Sequence, residues 1–348
     1  MYQTLMQSSN PSAIIGGSKA WQMTQAALDN DFLLVKYLIE DQRLDVNGAD
    51  YDGSAPDSCR YLAEQLRVPV IIATTLERFE IATYLLEKGA HVNARTPKTK
   101  ETLLHKAAEK GNLAFLNLVL ELPGIEIDPL DSKCETPAVK AVRTNQLEAV
   151  QILLQHGASA NIPLPMSVEL GRTPFVEVLL DHGADPEQTG HDERPILYIA
   201  AQRGNTLIVQ ALLEAGAHDD PASRACCPAL AAAASQGQNL SVQLLLARGW
   251  NPDGDGPDAE HLPPLHTALK HGHTHVATHL LKKGADVNML DASGIPPVFY
   301  AAEQGSVLGL NLLKDRGADM HINVNGVTAI QKAKKGGNRH AVRFLRRD

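Results

Sequence analysis

Aromatic residues make up only 4% of this 348-residue chain. So few large rings argue against one thick core and for many thin layers of leucine and alanine. Cysteine is scarce too, with Cys59, Cys134, Cys226 and Cys227 and no C-x-x-C pair. Neither a disulfide framework nor a zinc ribbon is indicated, and the pattern suits reduced thiols in a cytoplasmic and/or nuclear protein. No apolar run approaches the about 18 residues that a membrane span requires. The first residues, "MYQTLMQSSNPSAIIGGSKA", lack the basic and apolar regions of a secretory signal. No glycine-rich loop follows a strand and no nucleophile lies in a recognised motif, so neither catalytic residues nor a cofactor are indicated. The composition is otherwise ordinary, 44% hydrophobic and 21% charged, with a net charge of −8.

What the chain has instead is repetition. Leu-Leu-x-x-Gly-Ala recurs at 85–90, 153–158, 179–184, 212–217 and 280–285, with variants at 245–250 and 313–318. After Gly183 the marker glycines advance in steps of 33, 33, 35 and 33 residues, to Gly216, Gly249, Gly284 and Gly317. The 68 residues between Gly89 and Gly157 hold one further copy, "VLELPGIEID". A period of this length signals stacked units that bury their apolar faces against one another.

A second phrase precedes each marker. Its fullest form is "PPLHTALKHGHTHVATHLLKKGADVN" at 263–288, beside "TLLHKAAEKGN" (102–112), "PILYIAAQRGN" (195–205) and "PPVFYAAEQGS" (296–306). The combined pattern resembles the ankyrin repeat, over nearly all of residues 21–348. The residues agree with it physically. Proline near the first helical position starts a short helix whose paired alanines permit close approach, and glycine ends it. A second helix follows, with apolar residues such as Val276, Leu280 and Leu281 on one face. Asp/Asn/Gly-rich residues then turn into a projecting finger. The expected fold class is all-α, an ankyrin-repeat solenoid of helix–turn–helix units with hairpin or loop fingers.

Aligning backward from each Leu-Leu slot puts first helices near Trp21, Val68, Thr102, Thr136, Ile162, Pro195, Pro228, Pro263, Pro296 and Thr328. This gives about ten repeats over 21–348 after a tail at 1–20, with a capping repeat at 328–348. An added segment is expected near 55–67. Near 158–162 the spacing is short: "IPLPMSVELGRTPFVEVLL" fills every slot of both helices, so a whole repeat follows without its finger. A gap there would divide the groove into a basic N-terminal part and an acidic C-terminal part, as in "NPDGDGPDAE" (251–260).

The resemblance implies a function as well as a fold. In ankyrin arrays the finger tips and first-helix face line a concave groove that binds other proteins, so the chain is expected to be a non-catalytic adaptor or scaffold, monomeric by itself. The alternatives are an enzyme or small-molecule binder using the groove, or nucleic-acid contact through the basic last repeat. The partner-facing residues implied are Arg95, Lys98, Lys100, Lys106, Glu109, Lys110, Lys140, Arg143, Arg203, Lys270 and His271. The cations of units three and four would form a positive patch able to steer an acidic segment of a partner. His275 and His279, one helical turn apart, are a candidate metal pair, but no third ligand is evident and no metal is expected. Asn47, Asn93 and Asn288 occupy the "VN" slot of their fingers. In the resembled family such asparagines are targets of hydroxylation, which marks Asn93 and Asn288 as implied modification positions; their ordinary role is turn formation.

Overall fold

The computed structural model describes residues 19–47, 69–217, 229–254 and 262–347. The added segment near 55–67, Cys59, Cys226, Cys227, nearly all of the expected tail and most of the 251–260 finger lie outside the described residues.

Short runs bounded by capping residues and glycines make helices of two to three turns. Thr136 shows the start: its hydroxyl accepts the N–H of Val139, with Pro137 in the first helical position where no N–H is needed. Second helices open on a different cap, as where Asp31 accepts from Leu34 N and Asn112 from Phe115 N, both at 2.9 Å. Four first helices end directly on a left-handed residue: Gly111 at φ +67, Asn145 at φ +65, Gly204 at φ +74 and Gly305 at φ +78.

The chain divides into two compact units, Met1–Pro163 and Leu164–Asp348. In the first, helix pairs are α1 (Lys19–Leu28) with α2 (Phe32–Glu40), α3 (Pro69–Thr75) with α4 (Phe79–Glu87), α5 (Leu103–Lys110) with α6 (Leu113–Leu120), and α7 (Pro137–Thr144) with α8 (Leu147–Gln155). The second begins with α9 (Leu164–Glu169) and α10 (Thr173–Asp181), then α11 (Ile196–Arg203) and α12 (Thr206–Glu214), α13 (Ala229–Ser235) and α14 (Asn239–Ala247). It continues with α15 (Pro264–Lys270) and α16 (Thr274–Lys282), and α17 (Pro297–Gln304) and α18 (Val307–Asp315). A two-residue hairpin, β1 (Asn323–Val324) antiparallel to β2 (Val327–Thr328), leads into α19 (Ala329–Lys335) and α20 (Arg339–Leu345). Every described first helix begins within two residues of its expected start.

Within each unit, first helices stack on first helices and second helices on second helices. The alanine pairs Ala107–Ala108, Ala200–Ala201 and Ala301–Ala302 are fully buried between neighbouring first helices. Leucines such as Leu153, Leu212, Leu280 and Leu313 are equally buried on the second helices. Burying each such leucine stabilises the stack by about 1.5–3 kcal/mol, which no single repeat could supply to itself.

Polar side chains lock the turns between repeats. Gly204 ends α11 at φ +74, a left-handed conformation that glycine takes without strain, and the side chain of Gln238 from the next repeat lies against this turn. Residues 156–163 join α8 to α9, whereas residues 121–136 join α6 to α7. The boundary between the two compact units falls at this short connection.

Candidate functional site

The finger before α7 is built around Asp131. Its carboxylate accepts the N–H groups of Lys133 at 2.7 Å and Glu135 at 3.0 Å, closing a tight turn in which Cys134 takes φ +59. The turn is tied back to α5 by His105. Its Nε2 donates to the Glu135 carbonyl at 3.0 Å, leaving Nδ1 to accept from the N–H and hydroxyl of Thr102 at 3.1 and 3.0 Å. Burial pushes the His105 pKa below its ordinary value, which keeps the ring in that neutral form.

Lys140, the fourth residue of α7, sends its side chain into this turn. Its ammonium lies 2.9 Å from Asp131, 3.1 Å from Glu101 and 3.3 Å from Glu135. All four side chains are 11% exposed or less. Burial pushes the Lys140 pKa down, but the Asp131 and Glu101 carboxylates outweigh it and hold it above the usual lysine value. The reverse balance applies to the acids. Burial raises Glu101 and Asp131, yet hydrogen bonds from Lys106 and Thr99 to the first, and from Glu135 N–H and Lys140 to the second, leave both below the carboxylate range.

The remaining expected contacts attach to this core. Lys106, 15% exposed, meets Glu101 at 2.9 Å and Glu109 at 3.3 Å. Arg143 is exposed and donates to Glu135 at 2.6 Å. Lys110 reaches Glu77 at 2.8 Å, and Arg95 reaches Glu126 at 2.7 Å and the Leu130 carbonyl at 2.9 Å. Lys98 and Lys100 are exposed on the same finger, Lys100 in the left-handed turn position at φ +57. The expected positive patch is therefore corrected. Lys106 and Lys140 are inward supports of two fingers, and Arg95, Lys110 and Arg143 reach the surface already holding carboxylates. Glu77, Glu126 and, for Lys140, Glu101 come from adjacent repeats, whereas Asp131 and Glu135 come from the finger that leads into α7 and Glu109 from α5 itself.

In the second compact unit the same plan recurs with different chemistry. The Asp291 carboxylate accepts Ser293 N–H at 2.8 Å and Ile295 N–H at 2.9 Å, and the Tyr300 hydroxyl donates to it at 2.6 Å. His266 Nε2 donates to the Ile295 carbonyl at 3.0 Å, as His105 does to Glu135. Its Nδ1 is buried and has no hydrogen-bond partner among the described residues, because Pro263 stands where unit three has Thr102. Arg203 is exposed and donates to the Glu169 carbonyl at 2.6 Å. Lys270 and His271 are exposed at the end of α15, with the His271 ring stacked on His273 at a centroid distance of 6.3 Å. Burial, and then the charge of Lys270, hold the His271 pKa below its ordinary value.

His275 and His279 share α16 but do not converge. His279 Nδ1 donates to the His275 backbone carbonyl at 3.1 Å, and its Nε2 accepts from the Gln243 side chain at 2.8 Å. Among the described residues no three His, Cys, Asp or Glu side chains are grouped to hold a metal ion.

The finger asparagines all make one connection. Asn93 donates to the Gly124 carbonyl at 2.8 Å and accepts Glu126 N–H at 2.9 Å. Asn47 does the same with Gly89 and His91, at 3.0 and 2.7 Å, and Asn288 with Gly317 and Asp319, at 3.5 and 3.0 Å. Each side chain thus fastens its finger to the following repeat. Asp128 and Asp253 stand in the same slot, accepting Ser159 N–H at 2.7 Å and Asp286 N–H at 2.8 Å.

Comparisons with known proteins bear on this arrangement. A family model described as "Ankyrin repeats (3 copies)" matches residues 95–164, 164–255, 197–291 and 230–323. NF-kappa-B inhibitor zeta of Bos taurus is 30% identical over 138 residues, covering 34% of this chain and 19% of that protein. Ankyrin repeat protein nuc-2 of Neurospora crassa is 27% identical over 240 residues, covering 67% of this chain and 19% of that protein. The crystal structure of the human ASB11 ankyrin repeat domain aligns with a TM-score of 0.49 and 22% identity, over 70% of this chain and 98% of that one. The chain spans about a fifth of the length of these two curated relatives (19% in each case). No helix among the described residues is long and apolar enough to cross a membrane.

Proposed function

The chain belongs to the ankyrin-repeat family, and we propose that it is a non-catalytic protein–protein interaction module, an adaptor or scaffold that binds through its first helices and fingers. One observation carries the reading. The buried positions of the first helices repeat from unit to unit, whereas the two positions that follow them do not. After Ala107–Ala108 come Glu109 and Lys110; after Ala200–Ala201, Gln202 and Arg203; after Ala301–Ala302, Glu303 and Gln304. Stacking requires the first set to be alike and places no such demand on the second. A regular scaffold with an irregular polar face suits recognition of one extended macromolecular surface. The likeness to NF-kappa-B inhibitor zeta supports protein partners as a class.

The exposed members of that face, Lys110, Arg143, Arg203, Lys270 and His271, are the contact candidates, and Lys106 and Lys140 position the fingers beside them. The test is affinity capture with the whole chain and with the variant K110E/R143E, matched for melting temperature. The expected result is a stoichiometric protein partner whose recovery falls at least about fivefold with the variant. Equal recovery by both, or a co-purifying small molecule with no protein, overturns the assignment.

A further inference from the structure

Positive charge is handled in two ways along this chain. In units three and four each of Arg95, Lys106, Lys110, Lys140 and Arg143 meets a carboxylate within 3.3 Å. On α19 and α20 the charge is left open. Between Ala329 and Arg347 the sequence has seven lysines and arginines and no aspartate or glutamate. Lys332 has Glu303 at 4.0 Å, but Lys334, Arg339, Arg343, Arg346 and Arg347 have no carboxylate within ion-pair distance among the described residues.

These five line one groove of about 550 Å³ together with Val342. Ala341 and Leu345 are buried, which fixes the inward side of α20, while the cations are exposed and Val342 is half-buried. Arg339 and Arg343 stand four residues apart on α20, about 6 Å along its axis, and Arg346 and Arg347 follow at its C-terminal end. Like charges at this spacing oppose one another, and among the described residues no carboxylate pairs with either. The repulsion has a use if an anion occupies the groove.

The form of that anion follows from the lining. No phenylalanine, tyrosine, tryptophan or histidine lines the groove, so bases have no stacking platform of the kind that single-stranded nucleic-acid sites use. Val342 and the arginine stems give it an apolar floor. A second helix carrying carboxylates one turn apart would match the arginine spacing, and an apolar side chain between them would cover Val342. We propose that the groove on α19 and α20 is a docking site for an acidic amphipathic helix of a partner protein. Apart from Lys334 at the end of α19, its cations lie on or just after the second helix α20, so the site is tested independently of Lys110 and Arg143 on the first-helix face.

The experiment uses the whole chain and a fluorescein-labelled designed helix about 18 residues long, with glutamates one turn apart and leucines between them. Saturable binding by anisotropy is expected, weakening at least about tenfold in R343E/R347E and also with added salt. R343Q/R347Q, which removes charge without reversing it, should weaken binding less, and it serves if the reversed variant melts early. A lysine-for-glutamate version of the helix should bind R343E/R347E and not the natural chain. K110E/R143E should bind the acidic helix normally, which separates this site from the first-helix face. The proposal is overturned by absent saturable binding or by binding indifferent to Arg343 and Arg347. It is equally overturned if a DNA duplex or a phosphatidylserine vesicle binds through these arginines more tightly than the helix.

Discussion

Lys140 Nζ stands 2.9 Å from Asp131 Oδ2, and this contact completes a turn whose carboxylate already holds two backbone N–H groups. Nine residues also separate Asp291 from Tyr300, whose hydroxyl fills the same place at 2.6 Å. An ammonium and a phenol thus do the same structural work in units four and nine. The difference is that Lys140 also balances Glu101 and Glu135, so its loss strands Asp131 beside two acids that keep only Lys106 and Arg143.

Replacing Lys140 with methionine should therefore destabilise the first compact unit by about 3 kcal/mol, measured by urea unfolding of the whole chain. The loss depends on pH. Glu101 and Asp131 have folded pKa values below their ordinary ones, so their stabilisation is full above the usual carboxylate range of about 4 and is lost as pH falls through the folded values. Lys140 is shifted upward, so its share is full below about pH 10 and is lost only at higher pH. The difference between the natural chain and the variant should narrow on acidification below about pH 4. A gap that stays constant there contradicts the network.

His266 offers a gain of stability. Its buried Nδ1 lone pair lacks the donors that Thr102 gives His105. Pro263→Thr should supply them and raise stability by about 1 kcal/mol, and Thr102→Pro should cost at least as much. Melting temperatures of both variants check the pair; an unchanged or lowered value for Pro263→Thr would show that the lone pair carries no penalty.

Asp128 accepts Ser159 N–H, but its Oδ1 is buried with no partner among the described residues, where Asn93 uses its amide to donate to a glycine carbonyl. Burial raises the Asp128 pKa, with the Ser159 N–H opposing it. A raised folded value in an acid means that stability falls as pH climbs from the ordinary aspartate range to that value. Asp128→Asn should remove the penalty, stabilising by about 1 kcal/mol at neutral pH and by less at pH 4. A pH-independent gain would assign the effect to something other than the carboxylate.

Deleting residues 328–348 removes α19 and α20, which pack on α17 and α18. It also removes Asn338, which donates to the carbonyls of Ala302 and Glu303 at 3.3 and 2.5 Å. The truncated chain should melt earlier and self-associate in light scattering. A monomer with unchanged melting would show that the tenth repeat adds nothing to the stack.

Helix positions were legible because their cause is local. Thr136-Pro137, the alanine pairs and the turn glycines each act within a few residues, and every described first helix begins near its expected place. Charge pairing was not legible in the same way. Glu101 and Lys140 are far apart in sequence and meet only because one repeat stacks on the next in a fixed register. Asp131–Lys140 and Asp291–Tyr300 share a nine-residue spacing that could have flagged them. The open cations of α20 were readable for the opposite reason, since Asp348 is the one acid in the sequence of their own repeat.

The finger asparagines give the stack a direction. Asn47, Asn93 and Asn288 each hold their finger to the repeat that comes after it, and Asp128 and Asp253 do likewise. Unzipping a compact unit from its C-terminal side therefore releases a finger at every tied step, because the carbonyl or N–H that held it has gone. Unzipping from the N-terminal side releases none, since each remaining finger keeps its anchor. A partner that grips the fingers would feel the two processes differently, losing its hold at once in the first case and only repeat by repeat in the second.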